Sequence, residues 1–332
     1  MRDVAERAGV SVMTVSLALR GGRDDKRVSP ETLERVREVA AELGYTHNAR
    51  ARALRLGRTN VIGLYAGHGY VNVRIPFFTE VVSGLQEGCE EVKRDLLLHG
   101  VFHGTSEEAI MRELADGRID GLIVTLPQTS SLVPLLANSS FAVVSIADDL
   151  PGVPSVVVDE ADGARQIAEH LYGLGHRSVV YVTSADGGIV SAETRMARFV
   201  EVADELGIRL FMVRPSATGI EVAQLAQSTG ASAVVAWNDL SAFRLLSDWQ
   251  RAGIRVPRDL SLVGFDGVPL PYGLPNPLTT VAAPWAEVAK TAVRLLDDHL
   301  NGRSVPSRTQ LPVRLVAGTT TGPARPLLSL ES

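Results

Sequence analysis

One cysteine in 332 residues, Cys89, leaves no pair for an internal disulfide, so the chain suits a reducing compartment and must hold its fold by packing. Cys89 falls in a helical stretch and is expected to be a small core residue. No apolar run approaches the length of a membrane span, and charges stand where a signal peptide needs a hydrophobic stretch. Both absences point to a cytoplasmic chain with no membrane partner. The seven histidines are scattered along the chain, and neither a metal nor another cofactor is expected. Gly67-His68-Gly69 follows the first strand, but it lacks a third spaced glycine and a Gly-Lys-Ser/Thr ending, which argues against a phosphate loop. No nucleophile, base and orienting group stand together, so catalytic residues are not assigned; an α/β enzyme acting on a sugar or nucleoside is the alternative reading.

Lysine is scarce as well, occurring only at 26, 93 and 290. An arginine-rich genome accounts for the choice of arginine but not for where the charges sit. Up to Arg58 there are 12 basic and 8 acidic residues, a balance of +4, which leaves −9 for the remainder of a chain whose total is −5. A basic head suits a polyanion, and an acidic body argues against coating nucleic acid along the whole length.

The head reads as short helices. Asp3-Val4-Ala5-Glu6-Arg7-Ala8 is slim, Gly9 can reverse the chain, and Ser11 can cap a second helix. Val10, Val15 and Leu19 then recur at helical spacing to pack against Val4, leaving Val12, Met13, Ser16 and Leu17 outward. That is where the second helix of a DNA-reading pair enters the major groove, although an ordinary helical hairpin shares the pattern. Ser29-Pro30 starts a third helix with Leu33, Val36, Val39, Ala40 and Leu43 on one face and Gly44 at its end. Asn48-Ala49-Arg50-Ala51-Arg52-Ala53-Leu54-Arg55 could form a fourth, too short to be stable alone.

From Asn60 onward, β-branched runs at 61–64, 120–124, 142–146, 178–182, 233–236 and 260–264 alternate with amphipathic stretches at 78–92, 107–115, 160–174, 194–206 and 239–252. This is the rhythm of doubly wound parallel sheets, with units enough for two. Ligands in such folds bind beyond the carboxyl ends of the strands. There stand Ser145, Asn238, Asp239 and Asp266, with Arg195 opening a helix and Phe77, Phe78, Trp237 and Trp285 offering flat apolar faces. Forked hydrogen bonding beside aromatic faces suits sugars or planar heterocycles. Asp239 reads more simply as a helix N-cap, and Phe78 equally as core.

An ordered set of motifs goes further: Asp3-Val4-Ala5, Ala8-Gly9-Val10-Ser11, Thr14-Val15-Ser16, Val28-Ser29, Leu43-Gly44-Tyr45 with Asn48, Gly173-Leu174-Gly175-His176-Arg177, Asn238-Asp239, Val263-Gly264-Phe265-Asp266 and Leu278-Thr279-Thr280-Val281. In these the chain resembles the LacI/GalR family of bacterial transcription regulators over almost its whole length. The resemblance implies an all-α helix-turn-helix head (1–46), a hinge helix and linker (47–59), and an α/β periplasmic-binding-protein-like core of two doubly wound lobes (60–322), followed by a tail (323–332). The N-lobe would span 60–158 and 283–310, and the C-lobe 159–282 and 311–322. It implies a homodimer that reads a palindromic double-stranded DNA operator, with a small-molecule effector, commonly a carbohydrate, between the lobes.

By the same resemblance, Val12, Met13 and Leu17 face base edges and Thr14 and Ser16 suit phosphates. Asn48 caps the hinge helix, Ala51 permits close approach of two hinges, and Leu54 is the minor-groove wedge. Phe77, Ser145, Arg195, Trp237, Asn238, Asp266 and Trp285 fall on effector positions. The chain departs from the family pattern at Leu17, where arginine is common, at His47 for proline, at Arg198 for glycine, and at Ala283 for a polar residue. Leu17 replaces bidentate reading of guanine with apolar contact to thymine methyls.

Overall fold

The computed structural model describes residues 1–19, 28–45, 53, 57–67, 71–100, 102, 106–184, 189–269 and 277–325. The chain divides into two compact units, Met1–Thr59 and Asn60–Ser332.

In the first unit, α1 (Arg2–Ala8) ends at Gly9 in the left-handed conformation, φ 66°. A side chain there would be strained, so glycine makes the turn possible. Ser11 accepts a hydrogen bond from the Thr14 amide and starts α2 (Val12–Ala18), and Ser29 does the same from Thr32 to start α3 (Pro30–Glu42). Val4, Ala8, Val15, Ala18, Leu33, Val36 and Ala40 form the buried centre. Two expectations need correction. Leu17 is half-buried against this centre rather than fully outward, because a seven-residue helix on so small a core turns most of its apolar side inward. Leu43 is exposed, since α3 has already ended at Glu42.

The second unit contains two six-stranded sheets. One has the order β11-β5-β4-β3-β1-β2 and is parallel throughout. It is formed by β1 (Val61–Ala66), β2 (Asp95–Leu98), β3 (Gly121–Thr125), β4 (Ala142–Ile146), β5 (Ser155–Val158) and β11 (Arg308–Leu311). The other, β12-β10-β9-β8-β6-β7, is parallel except where β12 (Arg314–Val316) runs against β10 (Thr279–Ala282). Its remaining strands are β6 (Ser178–Val182), β7 (Arg209–Val213), β8 (Ala233–Ala236) and β9 (Ser261–Asp266). The central strands are buried along their length, as the continuous β-branched runs require.

The helices between the strands are α4 (Pro76–Val92), α5 (Glu107–Leu114), α6 (Leu132–Ala137), α7 (Glu160–Gly173), α8 (Val190–Glu205), α9 (Gly219–Thr229), α10 (Asp239–Arg251) and α11 (Trp285–Leu300). The chain passes from one sheet layer to the other three times, at 159, at 283–284 and at 312–313.

Helices α4 and α11 pack closely because Gly84 has no side chain: a Cβ there would stand 2.0 Å from the Ala286 carbonyl oxygen. Cys89 lies in the same seam, 3% exposed, and burial pushes its thiol up to about 11, so it is an unreactive packing residue. Nearby, Arg94 is buried between Asp120 and Asp297, each at 2.8 Å.

His176 is buried with Nδ1 2.7 Å from the Ser232 hydroxyl and Nε2 3.1 Å from the Gly322 carbonyl. A carbonyl only accepts, so Nε2 carries the proton and Nδ1 accepts from the hydroxyl. Burial lowers its pKa, so the stability it contributes is present above the ordinary histidine value of about 6.5 and is lost as pH falls through the lower folded value. Acidification from pH 7 to 5 is therefore expected to lower the melting temperature less in His176→Gln than in the parent. Parallel melts at the two pH values check this, and an unchanged difference refutes it.

Candidate functional site

Two candidate surfaces emerge. On α2, Val12 is 44% and Met13 75% exposed, so two apolar side chains stand in water at the start of a capped helix. Side by side on one short helix, they form an apolar surface open to a partner. Thr14 and Ser16 are half-buried on the same helix, and the Thr14 hydroxyl lies 2.9 Å from that of Ser11. Asn48, Ala51 and Leu54 lie outside the described residues.

The second surface gathers around Arg195. The residue does not open its helix: α8 begins at Val190, one and a half turns earlier, and Arg195 projects from its buried side. Its Nε and Nη2 both donate to Glu160 Oε2 at 2.8 Å, and its Nη1 donates to the Trp237 carbonyl. The face of the guanidinium lies 3.4 Å from the centre of the Phe265 ring. Burial works against the charge on Arg195, but Glu160 and Asp266 keep it protonated. Burial likewise raises the pKa of Asp266 well above the carboxylate range, opposed by Arg195. The indole N–H of Trp285 helps to hold the Asp266 charge from nearby without reaching normal hydrogen-bond geometry. Trp285 meets Phe77 edge to face at 4.9 Å, extending the apolar wall.

Three of the expected site residues are employed otherwise. Ser145 is fully buried and its hydroxyl donates to the Asp148 carbonyl at 2.8 Å, closing the turn after β4. The Asn238 carboxamide accepts from the Ser241 amide and is the N-cap of α10, the part considered for Asp239. Trp237 offers its backbone carbonyl to Arg195 while its ring is only half-buried. Asp239 instead accepts from Thr280 Oγ1 at 2.6 Å and the Val268 amide at 3.0 Å, and burial pushes it up to about 6. That carboxylate fixes α10 to β9 and β10. It also explains Gly264, where a Cβ would stand 2.2 Å from Asp239 Oδ1.

Glu160 was the residue that sequence reasoning missed. It follows β5 and borders a cavity of about 230 Å³ with Ala147, Val158, Ser191, Thr194 and Gln310. Its position just past a strand end is the available signal, but the run Ser155-Val156-Val157-Val158 is too short to stand among the β-branched runs that mark the strands in the sequence.

Residues 1–48 match the bacterial regulatory proteins of the lacI family, and residues 168–321 match the periplasmic binding protein-like domain. The head thus carries a lacI-family domain, and the core a periplasmic-binding-protein-like one.

Among LacI-family relatives, the HTH-type transcriptional regulator DegA of Bacillus subtilis is 29% identical over 97% of each chain. The ribose operon repressor of Haemophilus influenzae is 28% identical over 93% of this chain and 94% of its own. A solved structure of the lac repressor dimer bound to operator and an anti-inducer superposes with a TM-score of 0.81 at 25% identity, covering 96% of this chain and 98% of that one. The chain is thus a DNA-binding transcriptional regulator with a periplasmic-binding-protein-like sensor. Among the described residues, no helix is long and apolar enough to cross a membrane.

Proposed function

We propose that the protein is a repressor that binds a palindromic operator as a homodimer in the cytoplasm and answers to a small molecule, most simply a carbohydrate, held between its lobes. The observation that carries this reading is the joining, in one chain, of a Ser11-capped helix exposing Val12 and Met13 to a double-sheet core whose strand ends surround Arg195. In this reading residues 1–46 read DNA, 47–59 form the hinge and 60–322 sense the effector. Val12, Met13 and Leu17 supply apolar contacts to bases, and Thr14 and Ser16 contact phosphates. Arg195, Asp266, Trp285 and Phe77 hold the effector. The ribose operon repressor and the operator-bound lac repressor dimer, similar along nearly their full length, support the proposal.

Regulation follows from linkage. An effector shifts the protein between operator-competent and incompetent states only by its difference in affinity for them, so operator and effector must affect one another's binding reciprocally. Footprinting on promoter fragments of the source genome, with and without candidate sugars, tests the whole reading; no protected site on any fragment would falsify it. Leu54→Ala is expected to weaken operator binding at least tenfold while changing binding to random DNA little, because a wedge acts only on the bent central step. Equal losses in competition titrations would remove that role from Leu54.

A further inference from the structure

Helix α11 starts in the cleft and ends beside the amino ends of β1, β2 and β3, where the chain enters the core. Its first residue, Trp285, is buried with the indole N–H beside the Asp266 carboxyl, which ends β9 in the other sheet. The rest of the helix packs on α4 and on β3, β4 and β5 of the first sheet. Gly84 locks it to α4, and a Cβ at Gly121 would stand 2.9 Å from Leu296 of its last turns. Its 16 residues, held along their length, make a rod of about 24 Å.

The far end of that rod meets a buried ion triad. Asn60, Arg94 and Asp120 each stand immediately before a strand, β1, β2 and β3 in turn. Arg94, its side chain 5% exposed, donates from Nε to Asp297 Oδ1 and from Nη1 to Asp120 Oδ2, each at 2.8 Å. Asp120 Oδ2 also accepts from the Asn60 amide at 2.9 Å, and the Asn60 carbonyl accepts from the Asp95 amide at 2.8 Å. Both backbone polar groups of the first residue of the second unit are thereby gripped. Helix stability does not call for this arrangement, because a carboxylate in the last turn faces the negative end of the helix dipole. Nor does core stability, since a buried ion pair adds little over an apolar pair of the same volume; what it supplies is a fixed register between the elements that carry it.

We propose that Arg94 is a positioning residue for regulation. With Asp297 and Asp120 it joins the cleft end of α11 to the backbone at Asn60, so that a displacement of Trp285 reaches the point where the DNA-reading segment meets the core. Resting on the reading of the cleft as the effector site, the inference adds the route by which occupancy is passed on. Trp285 senses the lobe angle because one sheet carries it and the other supplies the carboxyl it faces. The rod conveys the shift, and the two donors of Arg94 deliver it to Asp120 and hence to Asn60.

Hydrogen exchange of the full chain, read residue by residue in a mass spectrometer, tests this without a ligand. The reporters are the amides of Asn60, Asp95 and Asp120, the last of which donates to the Val61 carbonyl at 2.8 Å. Trp285→Ala should speed their exchange about fivefold, and in an Asp297→Ala background it should add nothing, because the joint is already open. The amides of β6, a strand buried along its length, are the control. If they loosen too, Trp285→Phe, which keeps an aromatic ring and removes the N–H, is read in its place. A triad with a merely structural role predicts that the cleft substitution leaves the three reporters unchanged, or that the two substitutions add in full, and either result overturns the proposal. The same cycle on affinity for the footprinted operator should be non-additive in the same way. A protected operator with additive exchange retires this route alone, whereas non-additive exchange with no protected site retires the regulator reading and leaves the linkage between Trp285 and Asn60 standing.

Discussion

Arg195→Ala should abolish measurable effector binding and lower the stability of the core by about 3–5 kcal/mol, the cost of leaving a buried charge without its partner. The magnitude follows from Glu160, which is 6% exposed and takes two of its hydrogen bonds from this one guanidinium. Protonation of Glu160 would relieve part of the penalty, and burial already raises its pKa. The double variant Arg195→Met with Glu160→Leu separates the two effects, because an apolar pair of similar volume restores stability without restoring recognition. Urea denaturation and ligand calorimetry on the single and double variants make the comparison. If the single variant melted like the parent, the ion pair would not be the organising contact of the cleft.

Gly84→Ala is expected to do comparable damage at a distance from any ligand. Its Cβ would be placed 2.0 Å from the Ala286 carbonyl oxygen and 2.6 Å from the carbonyl carbon, and both are backbone atoms of α11 that no rotamer change can move aside. Helices α4 and α11 would have to separate, opening contacts along the seam that includes Gly88 and Val293. Although alanine favours a helix over glycine by nearly 1 kcal/mol, overpacking should outweigh it and leave a net loss of about 2–3 kcal/mol. Chemical denaturation of the full chain measures it, and a neutral or stabilising outcome would show that the two helices tolerate a wider spacing.

What the sequence made legible was the local chemistry. Gly9 and Ser11 specify the turn and cap between α1 and α2 by themselves, and both perform as their residue types require. The buried central strands announced themselves as β-branched runs. Edge strand β11 could not, since Arg308-Thr309-Gln310-Leu311 has no apolar pattern and is held by pairing with β5. The start of α8 is hidden for a related reason: its N-cap is Ile189, whose side chain makes no capping hydrogen bond, so no polar residue marks the boundary.

In the cleft, residue types were readable but their assignments were not. Asn238 and Asp239 are both competent caps, and only packing against Thr280 and Val268 decides that the aspartate turns inward. Glu160 lies 35 positions from Arg195, and nothing in its own neighbourhood announces that pairing. Ser145 illustrates the opposite case, a strand-end hydroxyl consumed by its own turn.

The three passes of the chain at 159, 283–284 and 312–313 stand side by side, because β11 pairs with β5 on one side and β12 with β10 on the other. Three adjacent tethers of one or two residues act as a strap hinge. Swivelling would stretch an outer tether, whereas flexing loads all three alike. Flexing is therefore the motion that this arrangement resists least.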